Sequence, residues 1–228
     1  MPKKKVIIKL GGSFLFHNGP NTKYLKDISD MVQRLSDKYQ FTVIIGAGET
    51  AKNYIEAART MGANESYFDL IGIDVSRLNA RLFIAAIGDL AYREPCKNFE
   101  EITAAEATGK VVVVGGLVPG QSTDAVSAEI AEYLDVSRLV IAKDVDFIYS
   151  DDPDKNPNAV KYEKLSKDEL VDIISKTKMR AKQYSVIDLV ASMIIHRARF
   201  STVIVNGADV KNLEKAIVGD SFKGTRIV

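Results

Sequence analysis

Five short runs of β-branched and other apolar residues recur along this sequence. They cover residues 6–10, 41–45, 111–114, 139–142 and 202–205. Short apolar runs without polar alternation predict strands that are buried on both faces. Strands of that kind belong to parallel sheets that are covered by helices on either side. The chain is therefore predicted to have a mostly parallel sheet at its centre.

Longer amphipathic segments separate these runs. The spacing of their apolar residues predicts helices over residues 22–39, 49–61, 66–87, 123–134 and 187–198. Alternating strands and helices build βαβ units, which place helices on both faces of the sheet. We expect an α/β fold, a three-layer αβα sandwich, with residues 1–228 in a single domain. The polar turn cluster at 150–158 has two prolines and is not a flexible linker that would divide the chain.

The charge and apolar content of the chain argue against a nucleic-acid or membrane partner. The formal net charge is only +1, so any recognition of phosphate has to be local. No apolar stretch approaches the ~20 residues that span a bilayer, and no signal-peptide core is seen. The single cysteine, Cys96, excludes an internal disulfide and suits a reducing compartment. We therefore expect a cytoplasmic protein.

Glycine-rich turns follow three of the predicted strands. They read Lys-Leu-Gly-Gly-Ser at 9–13, Gly-Ala-Gly-Glu-Thr at 46–50 and Gly-Gly-Leu-Val-Pro-Gly-Gln-Ser-Thr-Asp at 115–124. Glycine lets backbone amides approach a ligand, and a helix that starts after such a turn attracts anions. Because ligands of α/β sheets bind outside the carboxyl ends of the strands, we expect a phosphate site there. For 9–13 alone, an ordinary turn is an equally good interpretation.

Two widespread nucleotide-binding patterns do not account for these turns. The chain has no Gly-x-x-x-x-Gly-Lys-Ser/Thr, so a P-loop kinase is not supported. Residues 46–51 satisfy the Gly-x-Gly-x-x-Ala fingerprint of dinucleotide-binding proteins. That fingerprint also requires an acidic residue at the end of the next strand, about 20 residues on. Here Asp69 is followed by another helical segment, which disfavours a pyridine-nucleotide enzyme.

Several charged positions have two interpretations each. Asp69 is by default a helix cap, or else a ligand for sugar hydroxyls. Asp124 either caps the helix after it or orients lysines or the water shell of a Mg²⁺ ion. The acidic run at 146–154 forms a turn or holds water around Mg²⁺, which binds through few carboxylates. Arg77 and Arg81, four residues apart, are expected on a solvated or intersubunit helix face rather than in a phosphate clamp.

Taken in order, these segments resemble the amino-acid kinase family, most closely its archaeal-type uridylate (UMP) kinases. The resemblance covers almost the whole chain, with landmarks at 9–13, 46–55, 69–73, 77–80, 119–125, 145–153 and 186–188. Arg-Leu-Asn-Ala at 77–80 and Pro-Gly-Gln-Ser-Thr-Asp-Ala at 119–125 favour the UMP kinases. They fit less well the amino-acid, carbamate and isopentenyl-phosphate kinases of the family.

The resemblance implies transfer of the γ-phosphoryl group of ATP to UMP, giving UDP and ADP for CTP biosynthesis, by a homohexamer. It implies ATP as co-substrate, with Mg²⁺ carried by ATP, a C-terminal part that binds ATP, and an N-terminal part that binds UMP and phosphates. The residues implied for ATP are Lys9, Leu10, Gly11, Gly12, Ser13, Gly48, Lys52, Lys143, Asp144, Tyr149 and Asp152. Those implied for UMP are Ala47, Asp69, Leu117, Val118, Pro119, Gly120, Gln121, Ser122 and Thr123. The expected catalytic residues are Lys9, which stabilises charge on the transferred group, and Asp124.

The chain departs from the family pattern at three places. Ala47 stands where the second loop usually has glycine, and its methyl group is expected to crowd a phosphate. Phe147 replaces a glycine of the adenosine segment, where relatives read Thr-Asn-Val-Asp-Gly. We expect its ring either to fill the core or to lie against adenine. Residues 181–184 replace an Ala-Gly-Ser/Thr stretch before the last long helix.

Two other functions are compatible with these motifs. One is another small-acid or phosphate-monoester kinase of the same family. The other is a non-catalytic nucleotide-binding storage or sensor protein, like the molybdenum storage protein. Oxyanion storage would favour a polar or histidine-rich inner face, and the chain has only two histidines.

Overall fold

The structure, a computed structural model, describes residues 3–16, 19–153, 155–178 and 186–228. The first half of the chain forms β1 (Lys4–Leu10), α1 (Gly12–Leu15), α2 (Thr22–Leu35), β2 (Tyr39–Ile45), α3 (Gly48–Thr60), α4 (Glu65–Ile87), a 3-10 turn (Gly88–Leu90), α5 (Phe99–Ala107) and β3 (Val112–Val114). The second half forms α6 (Thr123–Tyr133), β4 (Arg138–Lys143), β5 (Ile148–Tyr149), β6 (Lys161–Tyr162), β7 (Lys164–Leu165), α7 (Lys167–Lys178), α8 (Leu189–Arg197), β8 (Ser201–Asn206), α9 (Val210–Val218) and β9 (Gly224–Ile227).

Seven strands form the central sheet, in the order β3-β2-β1-β4-β8-β9-β7. The first five are mutually parallel, β9 is antiparallel to β8, and β7 is parallel to β9. β5 and β6 pair separately as an antiparallel hairpin. The predicted α/β fold with a mostly parallel sheet is confirmed.

Two apolar cores lie on opposite faces of the sheet. Along β1, Ile7 belongs to one core, whereas Val6, Ile8 and Leu10 belong to the other. This alternation follows from the two-residue period of a strand, so a strand with helices on both faces is apolar throughout. Helices α5, α6, α7 and α8 contribute to the first core, and α1, α2, α4 and α9 to the second. The expected three layers are therefore present.

The predicted strands are correct to within two residues at each end, whereas one predicted helix is too long. α2 ends at Leu35, and the Lys38 amide closes a turn onto the Leu35 carbonyl. Tyr39, which was predicted to end that helix, instead begins β2 and pairs with Lys4. Helices α5, α7 and α9 and the strand β9 were not predicted. In α5 the buried residues are few, Ile102 and Ala105, so the periodic signal is weak.

The carboxyl ends of four adjacent parallel strands meet at one edge of the sheet. β1, β2 and β3 lead into Gly11, Gly46 and Gly115 respectively, while β4 ends at Lys143. The chain thus brings its three glycine-rich turns together with a lysine. Among the described residues, no helix is both long and apolar enough to cross a membrane.

Candidate active site

The first two glycine loops are in direct backbone contact. A Cβ atom on Gly12 would lie 2.1 Å from the Gly48 nitrogen, and one on Gly48 would lie 2.7 Å from the Gly12 oxygen. Gly48 also has a φ of +69°, a conformation that residues with a side chain rarely adopt. A Cβ atom on Gly46 would lie 2.8 Å from the Gly12 nitrogen. Glycine at these three positions therefore lets the loops after β1 and β2 pack without intervening side chains.

Ala47, between two of these glycines, does not need to be glycine. Its φ of −77° and ψ of −28° are ordinary right-handed helical values. The residue is half-buried and lines a cavity beside α4. The departure from the family pattern at this position thus introduces no backbone strain.

Polar side chains of α4 hold the glycine loops in place. Asn79 Nδ2 donates to the carbonyl oxygens of Gly46 and Ala47, each at 3.0 Å. Ser76 Oγ accepts a hydrogen bond from the Gly116 amide at 2.7 Å and donates to its own helix. Both side chains are buried, where an unmade hydrogen bond would be costly. Sequence reasoning missed these two roles, although Asn79 lies in the quoted Arg-Leu-Asn-Ala motif.

The expectation for Arg77 was wrong, whereas that for Arg81 agrees with the structure. The Arg77 guanidinium is half-buried and donates to the carbonyl oxygens of Gly116 and Leu117 at 3.1 and 3.2 Å. It therefore anchors the third glycine-rich loop, residues 115–124, to α4. Arg81 is exposed and pairs with Glu94. The two residues face different surroundings because their separation of four residues also turns the helix by about 40°.

Asp124 joins two lysines at the sheet edge. Its Oδ1 lies 2.9 Å from Lys9 Nζ, and its Oδ2 lies 2.5 Å from Lys143 Nζ. The side chains of Lys9 and Asp124 are only 6% and 7% exposed, and that of Lys143 is 19% exposed. The N-cap of α6 is Ser122, so the interpretation of Asp124 as a helix cap is not supported. Of its two expected roles, the structure shows the orientation of lysines.

The protonation of this cluster reflects burial and charge together. Burial lowers the pKa of Lys9 and the charge of Lys143 adds to this, despite the opposing attraction of Asp124. For Asp124, burial alone would raise the pKa, but the two ammonium groups outweigh it and the pKa is lowered. Asp124 is therefore the ionised carboxylate that the two lysine side chains contact.

A cavity of about 370 Å³ lies beside these loops, between α4 and the third loop. Asp69 lies on its wall, and its Oδ2 accepts a hydrogen bond from the Gly120 amide at 2.8 Å. The N-cap of α4 is Asn64, so the default interpretation of Asp69 as a cap is wrong. Gln121 and Thr123 also line the cavity. Gln121 Oε1 is buried and has no hydrogen-bond partner among the described residues.

The third loop runs from the buried core to the surface of the protein. Leu117 is buried in the core, whereas Val118, Pro119 and Gly120 are exposed. Ser122 Oγ accepts hydrogen bonds from the amides of Asp124 and Ala125 and donates one to Asp188. Its hydroxyl is therefore engaged by protein groups on both sides.

The residues predicted for ATP lie at several places around this edge. Leu10 is buried, and the Gly11 amide donates to the Ala142 carbonyl. Ser13 is exposed on α1, and Lys52 is exposed on α3, one turn after Gly48. Asp144 is exposed next to Lys143.

The segment after β4 continues with Tyr149 and Asp152, which are half-buried. Phe147 is 7% exposed, and its ring contacts that of Tyr149 edge to face at a centroid distance of 6.3 Å. Lys161 Nζ lies 4.9 Å from the centre of the Phe147 ring. The expectation that Phe147 would fill a packed position thus agrees with the structure.

The acidic run after β4 is a hydrogen-bonded turn rather than a converging set of carboxylates. The Asp146 carboxylate accepts hydrogen bonds from Asn206, at the end of β8, and from Lys223, just before β9. Asp152 Oδ2 contacts Lys155 Nζ at 2.6 Å. Asp154 and the family departure at 181–184 lie outside the described residues. In the parts of the chain that are described, no three His, Cys, Asp or Glu side chains converge as metal ligands.

Comparison with known proteins identifies the family. The sequence profile described as the amino acid kinase family matches residues 4–206. The chain belongs to this family. A uridylate kinase of Methanococcoides burtonii is 42% identical over 227 residues, covering 97% of both chains. One of Pyrococcus abyssi is 39% identical over 223 residues, covering 98% of this chain and 99% of the relative.

Solved structures agree with this assignment. The crystal structure of uridylate kinase from Archaeoglobus fulgidus matches with a TM-score of 0.88 and 37% identity, covering 98% of this chain and all of that one. UMP kinase from Ureaplasma parvum matches with a TM-score of 0.79 at 19% identity, covering 100% of this chain and 99% of that one. The second similarity shows a shared fold.

Proposed function

We propose that this protein is a UMP kinase that transfers the γ-phosphoryl group of ATP to UMP, giving UDP and ADP. The observation that carries the proposal is the buried Asp124 carboxylate between Lys9 and Lys143, next to two glycine loops in backbone contact. Phosphoryl transfer requires little covalent chemistry from a protein, so positioning and positive charge supply most of the catalysis. The uridylate kinase relatives, about 40% identical over nearly the full chain, support UMP as the acceptor.

In this proposal Lys9 stabilises the negative charge on the transferred phosphoryl group. The amides of Gly12 and Gly48 assist, because backbone N–H groups held by rigid loops need no reorganisation during the reaction. The Gly11 amide, expected to act with them, is already bonded to the Ala142 carbonyl. Asp124 keeps the ammonium groups of Lys9 and Lys143 at fixed positions and limits their mutual repulsion. Lys143 replaces a neutral residue of the family pattern and adds a second cation for ATP phosphates.

The cavity beside α4 is the proposed UMP site. Asp69 would accept the ribose hydroxyls, and the backbone of residues 117–123 would enclose the base. Gln121 Oε1 supports this assignment because a buried acceptor without a partner is costly unless a ligand donor reaches it. The imide N–H of uracil is such a donor. Ala47, at the mouth of the same cavity, would contact the UMP phosphate side.

The ATP side includes residues 9–13, Lys52 and the segment from Lys143 to Asp152. Mg²⁺ would enter with ATP, since both oxygens of Asp124 already contact lysines. When bound, the ion neutralises charge on the phosphate oxygens of ATP. The protein's own contribution is to hold the triphosphate against Lys9 and the glycine amides.

We propose that residues 1–228 act as one domain within a homohexamer in the cytoplasm and that the product supplies CTP synthesis. Exposed apolar side chains on α3 and α4 support self-association, since contiguous apolar surface marks interaction sites. They are Tyr54, Met61, Tyr67, Leu70, Leu78 and Leu82. These two helices pack against each other, and Met61 directly follows the end of α3.

Replacing Asp69 with asparagine should raise the KM for UMP about tenfold or more while changing the KM for ATP little. An amide loses one acceptor oxygen, and each hydrogen bond to a charged group contributes roughly 1.5–3 kcal/mol. Steady-state kinetics with each substrate varied would measure this. Asp74→Asn, an exposed position on the same helix, is the matched control. A change in the KM for ATP that exceeds the change in the KM for UMP would refute the assignment of Asp69 to the UMP ribose.

The affinity for ATP should fall as the pH rises, and the midpoint of this fall should lie below 10.5, the ordinary pKa of lysine. The pKa of Lys9 is lowered, so its positive charge is lost earlier than that of a free lysine as pH rises. Asp124 attracts that charge, and Asp124→Asn should therefore move the loss to still lower pH. Calorimetric titration of ATP across alkaline pH would show it. A transition that stays unchanged in both Asp124→Asn and Lys9→Met would contradict this origin.

A further inference from the structure

We infer that Asp188 is a positioning residue for phosphoryl transfer, acting through Ser122 on the carboxylate that holds Lys9 and Lys143. Asp188 lies before α8, outside both glycine loops and outside the cavity beside α4. Among the described residues, its hydrogen bond towards the site is the one from Ser122, at the start of α6. The inference rests on the proposed kinase function for its kinetic part.

The link begins with Ser122, whose hydroxyl makes every hydrogen bond that it can form. Its oxygen accepts hydrogen bonds from the amides of Asp124 and Ala125, both at 3.1 Å. Its hydrogen is donated to Asp188 Oδ2. A serine hydroxyl has one hydrogen and two lone pairs, so no capacity remains. The side chain is therefore fixed in one orientation, with the first turn of α6 on one side and Asp188 on the other.

Asp188 uses its two oxygens for two different helices. Oδ1 accepts the Ala191 amide at 3.0 Å and caps α8, while Oδ2 receives the Ser122 hydroxyl that caps α6. The N-termini of α6 and α8 are thus joined by two side chains. An N-cap of this kind stabilises its own helix. Joining two caps also sets the position of one helix start relative to the other.

Asp124 is the second residue of α6, and its amide is one of the two that Ser122 binds. A displacement of this turn would move the Asp124 carboxylate relative to Lys9 on β1 and Lys143 on β4. Both lysines are attached to the sheet, whereas the carboxylate is attached to the helix. Misplacement of a reacting group by about 1 Å can reduce a rate by roughly 100-fold. The helix start therefore has to be held in place, and Asp188 does this.

Asp188→Asn tests the link with a minimal change. Asparagine replaces one of the two carboxylate oxygens with an NH2 group, which donates, so the separate acceptor positions that Ser122 and Ala191 use can no longer both be filled. Asp209→Asn is the matched control, because Asp209 also caps a helix, α9, by accepting the Asn212 amide, and within the described parts of the chain it makes no hydrogen bond to Ser122 or Asp124. A loss of stability from a weakened cap should appear in both variants.

We expect kcat of Asp188→Asn to fall about tenfold or more at saturating UMP and ATP, with KM values within about threefold. Asp209→Asn should retain the kcat of the wild type at a similar melting temperature. Ser122→Ala should lower kcat as well, and the double variant should lose little more than either single one, since both changes break the same link. A normal kcat in Asp188→Asn, or independent additive losses, would overturn the inference.

A second measurement is independent of activity. The side-chain ammonium signals of Lys9 and Lys143 in nuclear magnetic resonance report their contact with Asp124. They should shift or broaden in Asp188→Asn and in Ser122→Ala but not in Asp209→Asn. If the wild type proves inactive towards UMP, the proposed function fails while this measurement still tests the positioning role. Unchanged signals in both variants would overturn that role whatever the activity.

Discussion

Replacing Lys9 with methionine is expected to lower kcat by about a hundredfold or more. Removing one preorganised group that stabilises developing charge typically costs that much. Methionine retains most of the aliphatic stem at a position that is 6% exposed, so the packing at the end of β1 is preserved. Asp124 keeps Lys143 as a partner, and we therefore expect the fold to survive. Steady-state kinetics and thermal unfolding would measure both effects.

Lys5→Met is the control for this variant. Lys5 lies on the same strand, is half-exposed and pairs with Glu106 at the opposite end of β1 from the glycine loops. Its removal should leave kcat unchanged and alter stability by less than about 1 kcal/mol, as for most surface ion pairs. A folded Lys9→Met protein with normal kcat would exclude Lys9 from the reaction.

Gly48→Ala is expected to abolish most of the activity and to destabilise the protein by about 1–3 kcal/mol. The added methyl group would lie 2.7 Å from the Gly12 oxygen, in contact with a backbone that cannot move without displacing the other loop. The positive φ of +69° adds a further cost of roughly 1 kcal/mol. Denaturant unfolding and kcat measurements would show whether both losses occur together.

The other end of α3 supplies the control. Gly62 also has a positive φ, +84°, but a Cβ atom there would meet nothing within 4 Å. Gly62→Ala should therefore show only the cost of the backbone conformation, with normal kcat. If the two substitutions reduce kcat equally, then close contact between the loops is not what the reaction requires.

The sequence allowed the central strands to be predicted because burial on both faces removes polar residues from a strand. Tyr39 was misassigned since an aromatic residue fits the apolar spacing of α2 as well as the register of β2. Strand β9, with its exposed Arg226, has no comparable apolar run. Such strands are defined by their partner in the sheet, which the local sequence does not specify.

The site residues that the sequence reveals are those whose residue type is unusual for their position at a strand end. Glycines at 12, 46 and 48 and the lysine at the end of β1 are local signals. The contacts of Asn79 and Ser76 were not predictable, because they join α4 to loops about 30 to 40 residues away in sequence. The pairing of Lys9 with Asp124 depends in the same way on the adjacency of β1 and β4. Long-range contacts of this kind leave no periodic pattern.

The most direct test of the account is the choice of phosphoryl acceptor. ADP release from Mg-ATP would be measured by a coupled assay with UMP, CMP, dCMP and isopentenyl phosphate in turn. We predict that kcat/KM is highest for UMP, by about tenfold or more over CMP, since a site built to hydrogen-bond a base edge rejects analogues that reverse a donor. Preferred turnover of isopentenyl phosphate, or ATP binding without transfer to any acceptor, would contradict the assignment of this protein as a UMP kinase.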